Sequence, residues 1–284
     1  MQRQTLASAW DTSTHLLADR LLVHDWPKSL PWETVAPESL KREAHLLPVV
    51  LQLDQLDPAQ REQVQQQLAV EHQTEVAPAM LIASDLGAAA LARQLARHAI
   101  VTLSNDSRVL LRFADPEVFI HLLWVLPLPH LASLCEATRR WSMPFAGEWH
   151  ELQFDDRPEP AWGALSEDAS IALANVGLIN ETLATLPEPS GIKEVWRTGQ
   201  QANQWLRTAQ TRFALTDAAD CVAFARHGVM LGDGFTKHPL LAPHLATARD
   251  VPGAYAQQTA SISMRDWNRV IADIEQSNKI REVS

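Results

Sequence analysis

Two Asp-Pro dipeptides set the tightest local constraint on this chain. Asp57-Pro58 and Asp115-Pro116 each close a short apolar run, Leu47–Leu53 in the first case and Arg108–Phe113 in the second. Aspartate accepts hydrogen bonds from the orphan amides of a first helical turn, and proline has no amide to leave unpaired there. Each dipeptide therefore reads as a helix start delivered by a strand. At the first, Gln60 stands at the capping-box position, and the helix should run through 61–72 with Val64 and Leu68 on a narrow apolar stripe. At the second, Val118, Phe119, Leu122, Leu123 and Leu126 recur at helical spacing, which predicts a helix buried on at least one face. Between them Ala79–Ala83 reads as a strand, Ser84 or Asp85 as a cap, Leu86–His98 as an alanine-rich helix and Ser104–Ser107 as a turn. Three strand–helix units in succession predict an N-terminal α/β lobe with a largely buried sheet, or an α+β arrangement of the same elements.

Past Trp149 the character changes. Asp155–Pro160 is charged, proline-rich and poor in apolar residues, which suits a linker. Beyond it only helices announce themselves. One is capped by Ser166 and ends near Pro187. A second spans Ile192–Phe213 with Trp196, Gly199, Ala202, Trp205, Leu206, Ala209 and Phe213 on one face. A third runs from Thr216 or Asp217 to Gly228, and the last starts at Ser263 with Asp266 as its capping-box partner. The expected organisation is an α/β lobe over 1–154, a linker over 155–165 and an all-helical lobe over 166–284.

Composition narrows the function. The chain has 284 residues, 46% of them hydrophobic and 20% charged, which is enough to bury a large core and excludes wholesale disorder. A formal net charge of −10 disfavours non-specific binding to nucleic acid or anionic membrane. Cys135 and Cys221 stand far apart, so neither a disulfide framework nor a cysteine zinc site is expected. The N-terminus carries no apolar signal-peptide core, and the apolar stretch Val118–Leu128 is too short to span a bilayer. A soluble, cytoplasmic protein is the expectation.

No catalytic constellation emerges. His24-Asp25 resembles a base beside its orienter, but neighbours on a strand point to opposite faces. The eleven histidines show no HExxH spacing, and no GxSxG elbow occurs. Gly232-Asp233-Gly234 lacks the lysine of a phosphate loop and reads as a helix stop. The expectation is therefore a protein without catalytic, cofactor or metal residues. The enzyme alternative would assemble His24, Asp25, Asp85 and Arg112 at strand ends, where α/β sheets place their ligands. Ten tryptophans against one tyrosine point instead toward protein binding, because tryptophan is enriched at interface hot spots even though most tryptophans serve the core. Arg112, Asp115, Trp141, Trp149, Trp196 and Trp205 are the candidate partner-binding or cleft-organising residues. Arg112 and Asp115 are expected to pair across the turn between strand and helix.

These residues also carry a resemblance. Ser84-Asp85, a helix ending in Leu95-Ala-Arg-His98, the junction RVLLRFADPEVF, an apolar helix, and Trp141-Ser-Met-Pro-Phe145 followed by Trp149 are together similar to the DUF4123 family over roughly residues 15 to 150. Arg112, Phe113, Asp115 and Pro116 match that family's strand-to-helix junction. Glu117 stands where the family has arginine, and the aromatic residue usual in its first strand is missing near Pro48. The resemblance implies an adaptor or chaperone that holds a type VI secretion effector and loads it onto a VgrG-type spike. It implies no catalytic residues. A toxin-binding immunity protein is the other protein-binding alternative.

Overall fold

The computed structural model describes residues 1–23, 26–74, 79–145, 147–153, 159 and 163–282. His24, Asp25, Trp162 and most of the expected 155–165 linker lie outside the described residues. The chain divides into two compact units, Met1–Ser170 and Ile171–Ser284.

The first unit contains β1 (Gln2–Gln4), α1 (Leu6–Asp11), β2 (His15–Ala18), β3 (Glu33–Thr34), β4 (Val49–Gln52), α2 (Pro58–Thr74), β5 (Ala79–Ala83), α3 (Ala88–His98), β6 (Ile100–Thr102) and β7 (Arg108–Leu110). It continues with α4 (Pro116–Val125), α5 (Leu128–Leu134), β8 (Arg140–Phe145) and β9 (Glu148–Gln153). Among the described residues, one seven-stranded sheet has the order β1-β9-β8-β5-β2-β4-β3, and β6 and β7 form a separate hairpin. Every neighbouring pair is antiparallel. The class is therefore α+β.

The strand–helix–strand reading of β4, α2 and β5 holds locally. Both strands run antiparallel to β2, which lies between them, so they are parallel to each other. Their connection through α2 is a split β-α-β crossover, and the inserted β2 converts an apparently parallel unit into an antiparallel sheet. The near-continuous apolar character of β2, β4 and β5 reflects two covered faces. Leu16, Ala18, Val49, Leu51, Ala79 and Leu81 meet Trp10, Val64, Leu68 and Trp149 on one side. The residues that alternate with them, Leu17, Val50, Met80 and Ile82, are buried too.

Caps explain the helix starts. Asp57 accepts from the Gln60 amide at 2.8 Å, while the Gln60 side chain accepts from the Asp57 amide at 3.2 Å, a reciprocal capping box. Asp115 caps α4 by accepting from the Glu117 amide. The expected Ser84 or Asp85 cap of α3 is not what forms. The helix starts at Ala88 after Gly87, and the Gln52 side chain accepts from the Ala88 amide at 2.9 Å. Ser84 instead donates to the Ala137 carbonyl and accepts from the Leu86 amide, tying the end of β5 to the turn before β8. The expected Arg108–Phe113 strand is shorter as well. It stops at Leu110, and the Ser104–Ser107 turn closes the β6–β7 hairpin with Asp106 at φ 63°.

α6 (Glu167–Ala174) crosses the boundary between the units, with Ser166 Oγ accepting from the Ala169 amide. The second unit continues with α7 (Val176–Ala184), α8 (Ile192–Arg212), α9 (Ala218–Leu231), α10 (Ala242–Asp250), α11 (Ala254–Ala260) and α12 (Met264–Glu282). The face expected on α8 is the one buried there, with Val195, Gly199, Ala202, Leu206 and Ala209 enclosed. Gly228 of α9 lies against the Trp205 ring. A Cβ at that position would lie 2.2 Å from Trp205 Cδ2, so only glycine lets the indole approach. Gly232, at φ 67°, ends α9, in keeping with the helix stop expected at Gly232-Asp233-Gly234. Ser263 and Asp266 form the expected cap of α12. No helix among the described residues is long and apolar enough to cross a membrane.

Candidate functional site

The strand-to-helix junction builds a charged cluster. Arg112 lies in the turn between β7 and α4, and its guanidinium Nη2 is 3.1 Å from Asp115 Oδ2, so the expected pair forms. The same nitrogen donates to Asp19 Oδ2 at 2.9 Å. Asp19 follows β2, and its other carboxylate oxygen accepts from the Leu21 amide at 2.9 Å. One arginine thus ties the end of a central strand to the start of α4.

The charges are not balanced one to one. Both carboxylates are largely enclosed, at 6% and 11% side-chain exposure, whereas the Arg112 side chain is half exposed. Burial pushes the Asp115 carboxyl up, against the opposing pull of Arg112 and the Glu117 amide. Burial would lower the Arg112 guanidinium, but the Asp19 hydrogen bond and the surrounding carboxylates outweigh it and raise the group. Burial opposes the charged form of both groups. The cation has several carboxylates to offset it, while Asp115 shares one cation with Asp19. Each carboxylate faces the arginine on one side and a backbone amide on the other, which makes the cluster a clasp.

Asp85 does not join it. Ala18 is paired with Ala79 and His15 with Ile82, so Asp19 and Arg112 stand at one end of the β2–β5 ladder and Asp85 at the other. There Asp85 forms an exposed ion pair with Arg139. Among the described residues, no three of His, Cys, Asp and Glu are grouped to hold a metal ion.

The four tryptophans separate into two kinds. Trp141 is fully enclosed, stacked on Phe119 at 4.6 Å with its ring nitrogen donating to Thr138 Oγ1, and Trp149 is enclosed in the core on the Trp10 side of the sheet. Both shape the interior of the first unit. Trp196 and Trp205 are half-buried on α8, and Trp205 sits edge-on to Phe224 and Phe235 at 6.0 and 5.6 Å. Sequence reasoning misses Asp19. Its signal, an acidic residue closing the apolar run His15–Ala18, is the same one that marks Asp57 and Asp115.

Among the described residues, α3 borders open hollows on the surface of the first unit. Two adjoining hollows of about 470 and 510 Å³ share Arg93 as a wall. The first lies over the start of α3, beside Glu33 and Gln55. The second runs between the later turns of α3 and the segment Ala36–Lys41 and reaches Arg108 at the start of β7. None of the residues favoured from the sequence lines either hollow.

The sequence model of a family described as "Domain of unknown function (DUF4123)" matches residues 22–133. No curated protein and no solved structure shows a significant match to the chain.

Proposed function

We propose that this chain, whose residues 22–133 match the DUF4123 family model, is a non-catalytic, cytoplasmic adaptor or chaperone that binds a type VI secretion effector and helps load it onto a VgrG-type spike. The observation that carries the reading is the domain match itself, which spans the Arg112–Pro116 junction and the whole of α3. The chemistry of that junction agrees with a scaffold. Its arginine and both of its aspartates are engaged with one another and with backbone amides, so the motif's charges are used in holding strand to helix. The open hollows along α3 offer a surface of the size and polarity on which one protein grips a segment of another.

The test is affinity purification of the tagged chain from its native cells, with bound proteins identified by mass spectrometry. Recovery of a spike protein together with one large effector supports the adaptor. A toxin recovered without the spike would replace it with an immunity protein.

A further inference from the structure

We infer that the groove along α3 receives an acidic segment of the partner protein. The inference rests on the protein-binding reading above and says what kind of surface the partner presents.

Charge points to the occupant. The 510 Å³ hollow is walled by Lys41, Arg93, Arg97 and Arg108 against one carboxylate, Glu38. Glu38 is already occupied by Lys41 at 2.6 Å. Arg97 donates to the neutral side chain of Gln94, and among the described residues Arg93 and Arg108 have no carboxylate partner. Three exposed guanidiniums therefore face one groove on a chain whose net charge is −10. Elsewhere in the same unit several arginines are matched with acids, as Arg3 with Glu148, Arg112 with Asp19 and Asp115, Arg139 with Asp85 and Arg140 with Glu151, and others are held by neutral groups, as Arg20 by Thr34 and Arg61 by the Leu53 carbonyl. The groove differs in gathering three exposed arginines on one surface.

Its shape suits a polypeptide. Ala96, Ile100 and Pro37 add apolar lining beside the cations, against which a backbone can pack. Arg93 and Arg97 stand one helical turn apart, about 6 Å between their Cβ atoms. Acidic side chains match that spacing when they are four apart on a helix or two apart on an extended strand, where they lie about 7 Å from each other. Guanidinium groups present paired donors that carboxylates accept in a fork. The long-range field of the remaining acidic surface repels an acidic partner everywhere else, so the groove would set the docking register as well as hold the segment.

The experiment measures fluorescence anisotropy of a labelled decapeptide of alternating Glu and Ala, titrated with the full chain. Three comparisons accompany it: the same peptide with Gln for Glu, a ten-nucleotide single-stranded DNA, and the R93E/R97E and R108E variants with R249E as a matched reversal on the second unit. All four arginines are exposed, so thermal melts of the variants should overlay the parent. The acidic peptide is expected to bind, to weaken by about tenfold or more in R93E/R97E, to be released by added salt, and to be unaffected in R249E. Equal binding of the Gln peptide, equal binding by R93E/R97E, or tighter binding of the DNA would each overturn the inference. Purification from native cells with the parent and R93E/R97E separates the two readings. If both recover the same effector and spike, the groove is not the docking site although the adaptor stands. If the acidic peptide binds through the arginines but neither protein is recovered, the groove inference survives and the adaptor reading falls.

Discussion

At the residue scale the structure turns on shared charges. Arg112 serves two enclosed carboxylates at once, so its loss would leave Asp19 and Asp115 facing each other without a cation. Breaking a buried pair commonly costs 3–5 kcal/mol, and the half exposure of Arg112 reduces that to about 2 kcal/mol for Arg112→Ala. Chemical denaturation should show the midpoint fall with little change in slope, and Arg112→Lys should recover part of the loss, since lysine restores the charge without the planar fork. The pairing of Arg112 with Asp115 is legible in the sequence because the two flank a single turn into a helix. The Asp19 contact is not, because it joins positions 93 apart and only the folded sheet brings them together.

At the element scale, helices are more legible than strands. Caps and helical spacing are local, so α2, α4, α8, α9 and α12 can be read from the chain, most of them with their capping residues. By contrast β2 is four residues long and β3 only two, too short to show a period, although β2 lies between β4 and β5 and decides the direction of the sheet. β8 carries arginine and proline along its length, and its place is set by partners distant in the chain. Two outcomes test the helical unit. Gly228→Ala should destabilise it by about 1–3 kcal/mol through the clash with Trp205, although alanine is the better helix former by about 1 kcal/mol. A thermal melt followed by tryptophan fluorescence reads the sign directly.

The second outcome concerns His227, buried on α9 with Nδ1 hydrogen-bonded to Tyr255 of α11 at 2.8 Å. Burial, aided by Arg226, lowers its imidazole from 6.5 to about 4. A depressed folded value means that its stabilising contribution is complete above pH 6.5 and is lost as pH falls toward 4. The difference corresponds to on the order of 3 kcal/mol. Denaturant midpoints measured across that window should fall, and the fall should flatten in His227→Gln.

At the scale of the whole molecule, the sequence changes character past Trp149, and the two compact units of the structure are Met1–Ser170 and Ile171–Ser284. The sequence exposes the scaffold better than the surface. The residues it favours are those whose motifs organise folding, and Trp141 and Trp149 are enclosed for that reason. The open hollows are lined by alanines and exposed arginines of α3, which in sequence are simply the polar side and small residues of an amphipathic helix. Only the chain segments packed beside that helix turn them into a groove. If this acidic chain works by binding proteins, purifying the tagged chain from its native cells and identifying what stays with it should reveal the partners. One large effector together with a spike protein is the expected recovery. Recovery of neither, with the tagged chain folded and abundant, would contradict the adaptor function.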